Sequence, residues 1–293
     1  MSAHKKGGYY LPEPSHWPII GSIGIFCFLT GFANWLHQNT IGPILFFLGA
    51  IIIAYMLFGW FGTVIKENQA GLLDNEQIER SFRWAMVWFI FSEVMFFGGF
   101  FGALFYARVL SVPWLGGEGM HTITHVLLWP NFVATWPLHT TPDPSQFTGP
   151  REVINTWGLP ALNTLILLSS GVTITIAHWA MLNDNRRMQI IGQLFTVLLG
   201  ILFLCMQAVE YGEAYTEKGL KLSAGIYGTT FFMLTGFHAA HVTLGTIMLI
   251  VILYRIYRGH FTANHHFAFE AVSWYWHFVD VVWLILFVFV YWI

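Results

Sequence analysis

His265-His266-Phe267-Ala268-Phe269-Glu270-Ala271-Val272-Ser273-Trp274-Tyr275-Trp276-His277-Phe278-Val279-Asp280-Val281-Val282-Trp283 is the stretch on which the fold turns. It continues apolar to Ile293, so Phe267 to Ile293 exceeds the ~20 residues that a helix needs to cross a bilayer. Yet Glu270, His277 and Asp280 lie inside it. Ionisable groups at membrane depth cost roughly 3 kcal/mol or more unless they face protein or water. On a helix Ser273, His277 and Asp280 fall at i, i+4 and i+7, and Glu270, Trp274 and His277 share an overlapping face. The spacing predicts a membrane helix whose polar stripe packs on other helices, which the rest of the chain must supply.

The composition agrees. The 293 residues are 56% hydrophobic and 10% charged, against roughly 25% charged in soluble chains. The chain reads as an all-α integral membrane protein. A net charge of −2 offers nothing to nucleic acid. Cys27 and Cys205 sit in apolar runs away from ligand-spaced partners, so neither a disulfide nor a metal site is expected on them. No cleavable signal is expected, because polar His4, Lys5 and Lys6 lead into Pro12-Glu13-Pro14 before the first apolar run.

Working back from the C-terminal helix, seven apolar runs appear: Pro18 to Leu36, Ile44 to Ile65, Phe82 to Val109, Trp157 to Leu182, Met188 to Tyr211, Ala224 to Tyr254, and the last. The first two form a tight hairpin. The polar segment 67–80 is the best internal boundary, dividing an N-terminal part, 1–66, from 81–293. The segment 110–156 reads as one long outer loop. Internal repeats are not visible, which counts against an inverted-repeat transporter. With the N-terminus inside, the inner side carries Lys5, Lys6, Lys66, Arg80, Arg83, Arg186, Arg187, Arg255 and Arg258, and the outer side Arg108, Arg151, Lys218 and Lys221. Nine against four favours N-inside and C-outside.

Several residues are candidates for chemistry. Glu93, in Phe91-Ser92-Glu93-Val94-Met95, is the deepest acid. Charging a lone carboxylate among Phe89, Phe91, Phe96 and Phe97 is costly, so a neutral carboxyl is expected there. It reads either as a proton-carrying or lipid-cavity group, or as an acid hydrogen-bonded to a neighbouring helix. His238 and His241, at i, i+3, read as a metal pair or as interhelical hydrogen-bonding groups; no third ligand is spaced to complete a metal site. Only His178, His238, His241 and His277 are expected within helices. Glu118-Gly119-Met120-His121 fits half a di-iron motif, but it occurs once, in a Gly-rich loop. Arg255, Arg258 and His260 close the sixth run as a basic cluster, suited to anionic headgroups or serving topology alone. The residues assemble no redox centre. What remains open is an accessory subunit, an independent membrane transporter or proton channel using Glu93, Glu270, His277 and Asp280, or a haem protein built on histidine pairs.

At these positions the chain resembles the cytochrome c oxidase subunit III family. The likeness rests on Ser92-Glu93-Val94 with Phe96-Phe97, Gly171-Val172-Thr173-Ile174-Thr175 with Ala177-His178, Gln207-Ala208 with Glu210-Tyr211, Gly225-Ile226-Tyr227-Gly228, Thr235-Gly236-Phe237-His238 with His241-Val242, and the closing stretch quoted above. It runs from Trp17-Pro18 to Tyr291-Trp292. The resemblance implies seven transmembrane helices, two in one bundle and five in another, around a V-shaped lipid cleft. It implies no catalytic residue, haem or metal in this chain, with a-type haems and copper in partner subunits. The expected partners are the catalytic haem–copper subunit I and the copper-bearing subunit II, with cytochrome c met only through the complex, and phospholipids. The implied role is to steady the oxidase and support proton uptake. Glu93 matches the family's carbodiimide-reactive acid. Arg255 and His260 match positions near bound phospholipid. Trp60 matches the first of a tryptophan pair whose second member here is Phe61. The length of the 110–156 loop favours a bacterial cytoplasmic membrane over the mitochondrial inner membrane.

Overall fold

A computed structural model describes residues 14–293 apart from Asp74 and Asn264. His4, Lys5 and Lys6 lie outside the described residues. The described chain is helical: α1 Trp17–Leu36, α2 Ile41–Gln69, α3 Glu76–Phe105, a π-helical turn Tyr106–Ser111, α4 Val112–Leu115, α5 Thr122–Leu128, α6 Leu159–Leu182, α7 Arg186–Thr216, α8 Gly225–Tyr257 and α9 Phe267–Leu286, with a π-helical end Phe287–Trp292. Seven helical stretches among the described residues are long and apolar enough to cross a membrane.

The helices outrun their apolar runs. Helix α2 continues through Lys66, Glu67 and Gln69, and α3 opens with Glu76 and Glu79. Of the expected 67–80 linker only 70–75 lies between helices. The polar residues are helical because both spans project beyond the hydrocarbon. The unbroken stretch Glu76–Leu115 has 40 residues, about 60 Å at 1.5 Å each, against a ~30 Å core. It therefore extends into the expected 110–156 loop. That loop also contains α5, and His121 and His125, expected outside helices, lie in a 3-10 turn and in α5.

The chain divides into two compact units, 1–84 and 85–293. In the first, α1 and α2 pack as an antiparallel hairpin with backbones almost touching. A Cβ at Gly31 would lie 2.2 Å from the Phe46 nitrogen, and one at Gly49 2.3 Å from the Phe28 nitrogen. Lipid is as apolar as leucine, so packing and hydrogen bonds, rather than water exclusion, hold such helices together.

In the second unit, polar side chains tie the long helices. The Thr173 and Thr196 hydroxyls meet at 2.8 Å between α6 and α7, and Gln193 Nε2 donates to Leu249 O of α8 at 3.1 Å. Trp276 Nε1 donates to Ser170 Oγ at 2.8 Å and Trp283 Nε1 to Thr164 Oγ1 at 2.9 Å, joining α9 to α6. Both indoles are fully buried. Trp276 fits because Gly200 and Gly245 flank it; a Cβ on either would stand 2.9 Å from its ring. The 110–156 loop is fastened at its end: Arg151 N donates to Lys218 O at 2.9 Å, and Lys218 Nζ meets Glu152 at 3.4 Å and Glu213 at 3.3 Å.

Candidate functional site

Three clusters gather the predicted residues. In the first, Glu93 of α3 is not a lone acid. Its Oε2 lies 2.8 Å from His241 Nε2, across 148 residues of sequence. His241 Nδ1 lies 2.6 Å from Phe237 O. A carbonyl only accepts, so Nδ1 carries hydrogen. Phe96 and Phe97 flank the imidazole, with ring centroids 5.9 and 5.0 Å away. Glu93 therefore has an imidazole partner on α8, which matches the reading of an acid hydrogen-bonded to a neighbouring helix.

His238, three residues away, turns elsewhere. Its Nε2 meets Val279 O of α9 at 3.2 Å, and its Nδ1 has no partner among the described residues. The two histidines serve different neighbouring helices and do not converge on one point.

The second cluster lies on α9. His277 Nδ1 stands 3.5 Å from Asp280 Oδ2, and His277 Nε2 3.4 Å from Thr175 Oγ1 on α6. Asp280 is buried, whereas the His277 side chain is 44% exposed. Ser273 is buried on the same face. Toward the start of α9, His178 packs against His266 and Phe269 at centroid distances of 5.6 and 5.5 Å, and Glu270 is half-buried.

The third cluster is basic. Arg255 is buried, with its guanidinium 4.5 Å from the Phe261 ring centroid and no partner for Nε among the described residues. Beyond the helix, burial holds His260 below the ordinary imidazole value, and the Arg255 and Arg258 charges push the same way. Trp60, in the other unit, is 48% exposed and stacks on Phe61 at 5.8 Å.

A further site was not anticipated from residue patterns. Glu210 is fully buried. Its Oε1 accepts from Tyr291 Oη at 2.6 Å and from Gln207 Nε2 at 3.1 Å. The signal was present: Gln189, Gln193, Thr196, Gly200, Phe203, Gln207 and Glu210 recur at alternating steps of four and three, and all are buried on α7. A seam at that period faces a packed core.

Among the described residues, no group of three or more His, Cys, Asp or Glu is placed to hold a metal ion. The arrangement comprises two acid–imidazole pairs and a basic end.

The family described as Cytochrome c oxidase subunit III matches residues 7–293. The chain is 40% identical over 294 residues to cytochrome c oxidase subunit 3 of Drosophila melanogaster, covering 100% of this chain and 99% of the relative. The subunit 3 of Latimeria chalumnae is 40% identical over 290 residues, covering 99% and 98% of the two chains. That of Marchantia polymorpha is 40% identical over 292, covering 100% and 98%. A match along the whole length favours an oxidase subunit over an independent transporter, and the chain belongs to the cytochrome c oxidase subunit III family.

Proposed function

We propose that the chain is the non-catalytic member of the oxidase core that binds the haem–copper subunit I, beside the copper-bearing subunit II, and steadies it through turnover. The observation that carries this is His277. A titratable side chain 44% exposed in the middle of an apolar helix is costly against lipid and cheap against protein. The a-type haems and copper belong to those partners, and cytochrome c is met only through the complex.

In this reading Glu93, His238, His241, Glu270, His277 and Asp280 hold the subunit together and buffer protons near the uptake side, and none is catalytic. Phospholipid is held at Arg255 and His260, and at Trp60. A buried guanidinium with no carboxylate partner among the described residues supports an anionic headgroup at Arg255. The chain sits in the bacterial cytoplasmic membrane with its N-terminus inside, as the Lys and Arg distribution favours. The alternative seat is the mitochondrial inner membrane, which relatives from Drosophila and Marchantia favour.

Stripping the chain from the purified oxidase tests the role. The haem spectrum and initial rate should survive, while the rate under continuous turnover decays faster than in the complete enzyme. An initial rate of zero with intact haem bands, or an unchanged decay, sinks the reading.

A further inference from the structure

We infer that the end of the second unit carrying the α6–α7 turn holds a binding site for a phosphate-class anion, built on Arg186. A cavity of about 220 Å³ lies there, bounded by Asp184, Arg186, Gln189, Gly259, Phe261 and Thr262. It is formed where α6 ends, α7 begins and the segment after α8 passes.

Three of its lining side chains carry hydrogen-bond donors. Arg186 Nη2 donates to Tyr257 O at 2.8 Å. Arg186 is exposed, and that bond occupies one of its five N–H groups, so others can reach a ligand. Gly259 adopts φ +75°, and a Cβ there would lie 3.8 Å from the same Nη2, so the backbone turns past the guanidinium without covering it. Gln189 is buried, with no partner for its amide Nε2 among the described residues. Thr262 Oγ1 accepts from His265 N at 3.2 Å, which leaves its own hydroxyl hydrogen to donate. Asp184 is the one carboxylate on the cavity, and it is exposed. Arg255 adds positive charge from across the Phe261 ring, 4.5 Å from its centroid.

A guanidinium, a primary amide and a hydroxyl call for a ligand rich in acceptors. A phosphate offers several charged oxygens and matches the planar fork of arginine. Its source is either a phospholipid headgroup or a soluble phosphate compound. None of the three donors belongs to the Arg255–His260 pair.

The test uses the purified complex, as wild type, R186Q, T262V and R187Q. One arm titrates inorganic phosphate by calorimetry. The other counts phospholipid phosphorus retained after detergent washing. The inference predicts one of two results. Saturable phosphate binding that weakens about tenfold or more in R186Q identifies a soluble anion. Loss of one phospholipid per complex in R186Q, without phosphate binding, identifies a headgroup. T262V, the milder change, should move the same reading in the same direction, and R187Q should leave it unchanged. The inference is overturned if R186Q and T262V match wild type in both arms, or if R187Q shifts the reading as far as R186Q.

Discussion

Glu93 and His241 share one hydrogen bond between α3 and α8. His241 Nδ1 is committed to Phe237 O at 2.6 Å, so the 2.8 Å contact between Nε2 and Glu93 Oε2 needs one further hydrogen. That hydrogen sits on the carboxyl, giving two neutral groups, or on the imidazole, giving an ion pair. The unit is neutral either way, which is how an acid persists deep in an apolar helix.

Unequal effects of the two single substitutions follow. Glu93→Gln keeps a donor for Nε2 of the same imidazole tautomer, so the complex should lose less than about 1 kcal/mol. His241→Leu leaves the carboxyl without its partner and should cost about 1–3 kcal/mol. Thermal denaturation of the assembled oxidase measures both, and the Glu93→Leu/His241→Leu double variant should recover part of the loss. Equal effects of the two single variants would remove the shared hydrogen-bond account.

The α1–α2 hairpin depends on backbone approach. Gly49→Ala puts a methyl 2.3 Å from the Phe28 nitrogen, whereas nothing lies within 4 Å of a Cβ at Gly62. Overpacking of this kind costs about 1–3 kcal/mol, and helix strands cannot shift as a flexible side chain can. Limited proteolysis of the membrane-embedded complex should cut the 37–40 turn faster in Gly49→Ala and at the parental rate in Gly62→Ala. Matching rates would mean that the close approach does not hold the hairpin.

Much of this arrangement was legible in the residues, for definable reasons. Seven spans follow from apolar length, and the α9 stripe from helical spacing. The pairing of Glu93 with His241 was not legible, because partners 148 residues apart meet only through packing of α3 on α8. Helix ends were read too short: apolarity marks the hydrocarbon, whereas hydrogen bonding carries α2 to Gln69 and α3 back to Glu76. The α7 seam was readable as a 4–3 repeat but is polar at most of its positions, which hid it from a search for apolar stripes. The Arg186 cavity needed the meeting of three chain segments.

The His260 cluster should respond to pH. Burial, with help from Arg255 and Arg258, depresses the imidazole below its ordinary 6.5. The unfolded chain therefore binds the proton first, and stability rises with pH across that window. His260 makes its full contribution above 6.5, and the contribution is lost as pH falls from there through the depressed value. Thermal midpoints of the complex across this range should fall less steeply on acidification in His260→Gln than in the parent. Parallel curves would show that another group sets the slope.

The His277–Asp280 pair provides the sharpest test of how α9 is held. Thr175 donates its hydroxyl hydrogen to Gly171 O at 2.8 Å, so it must accept from His277 Nε2, 3.4 Å away. That leaves Nδ1 for Asp280 Oδ2 at 3.5 Å, near the outer limit of hydrogen bonding. Asp280 Oδ1 has no partner among the described residues, so His277 is the side chain there on which the buried acid relies. His277→Leu should therefore cost about 1–3 kcal/mol by orphaning Asp280. Asp280→Asn should cost less, since its amide can donate to the bare Nδ1 of a neutral ring. His277→Leu/Asp280→Leu should be milder than His277→Leu alone, because a buried pair replaced as a whole leaves no unmatched group. Gly171→Ala approaches the same carboxylate from α6, with its Cβ 2.5 Å from Oδ2, and should resemble His277→Leu. Thermal midpoints and retention of the chain through purification report all four. If Asp280→Asn proves as damaging as His277→Leu, the carboxylate has a charged partner outside this chain and the pair is not self-contained.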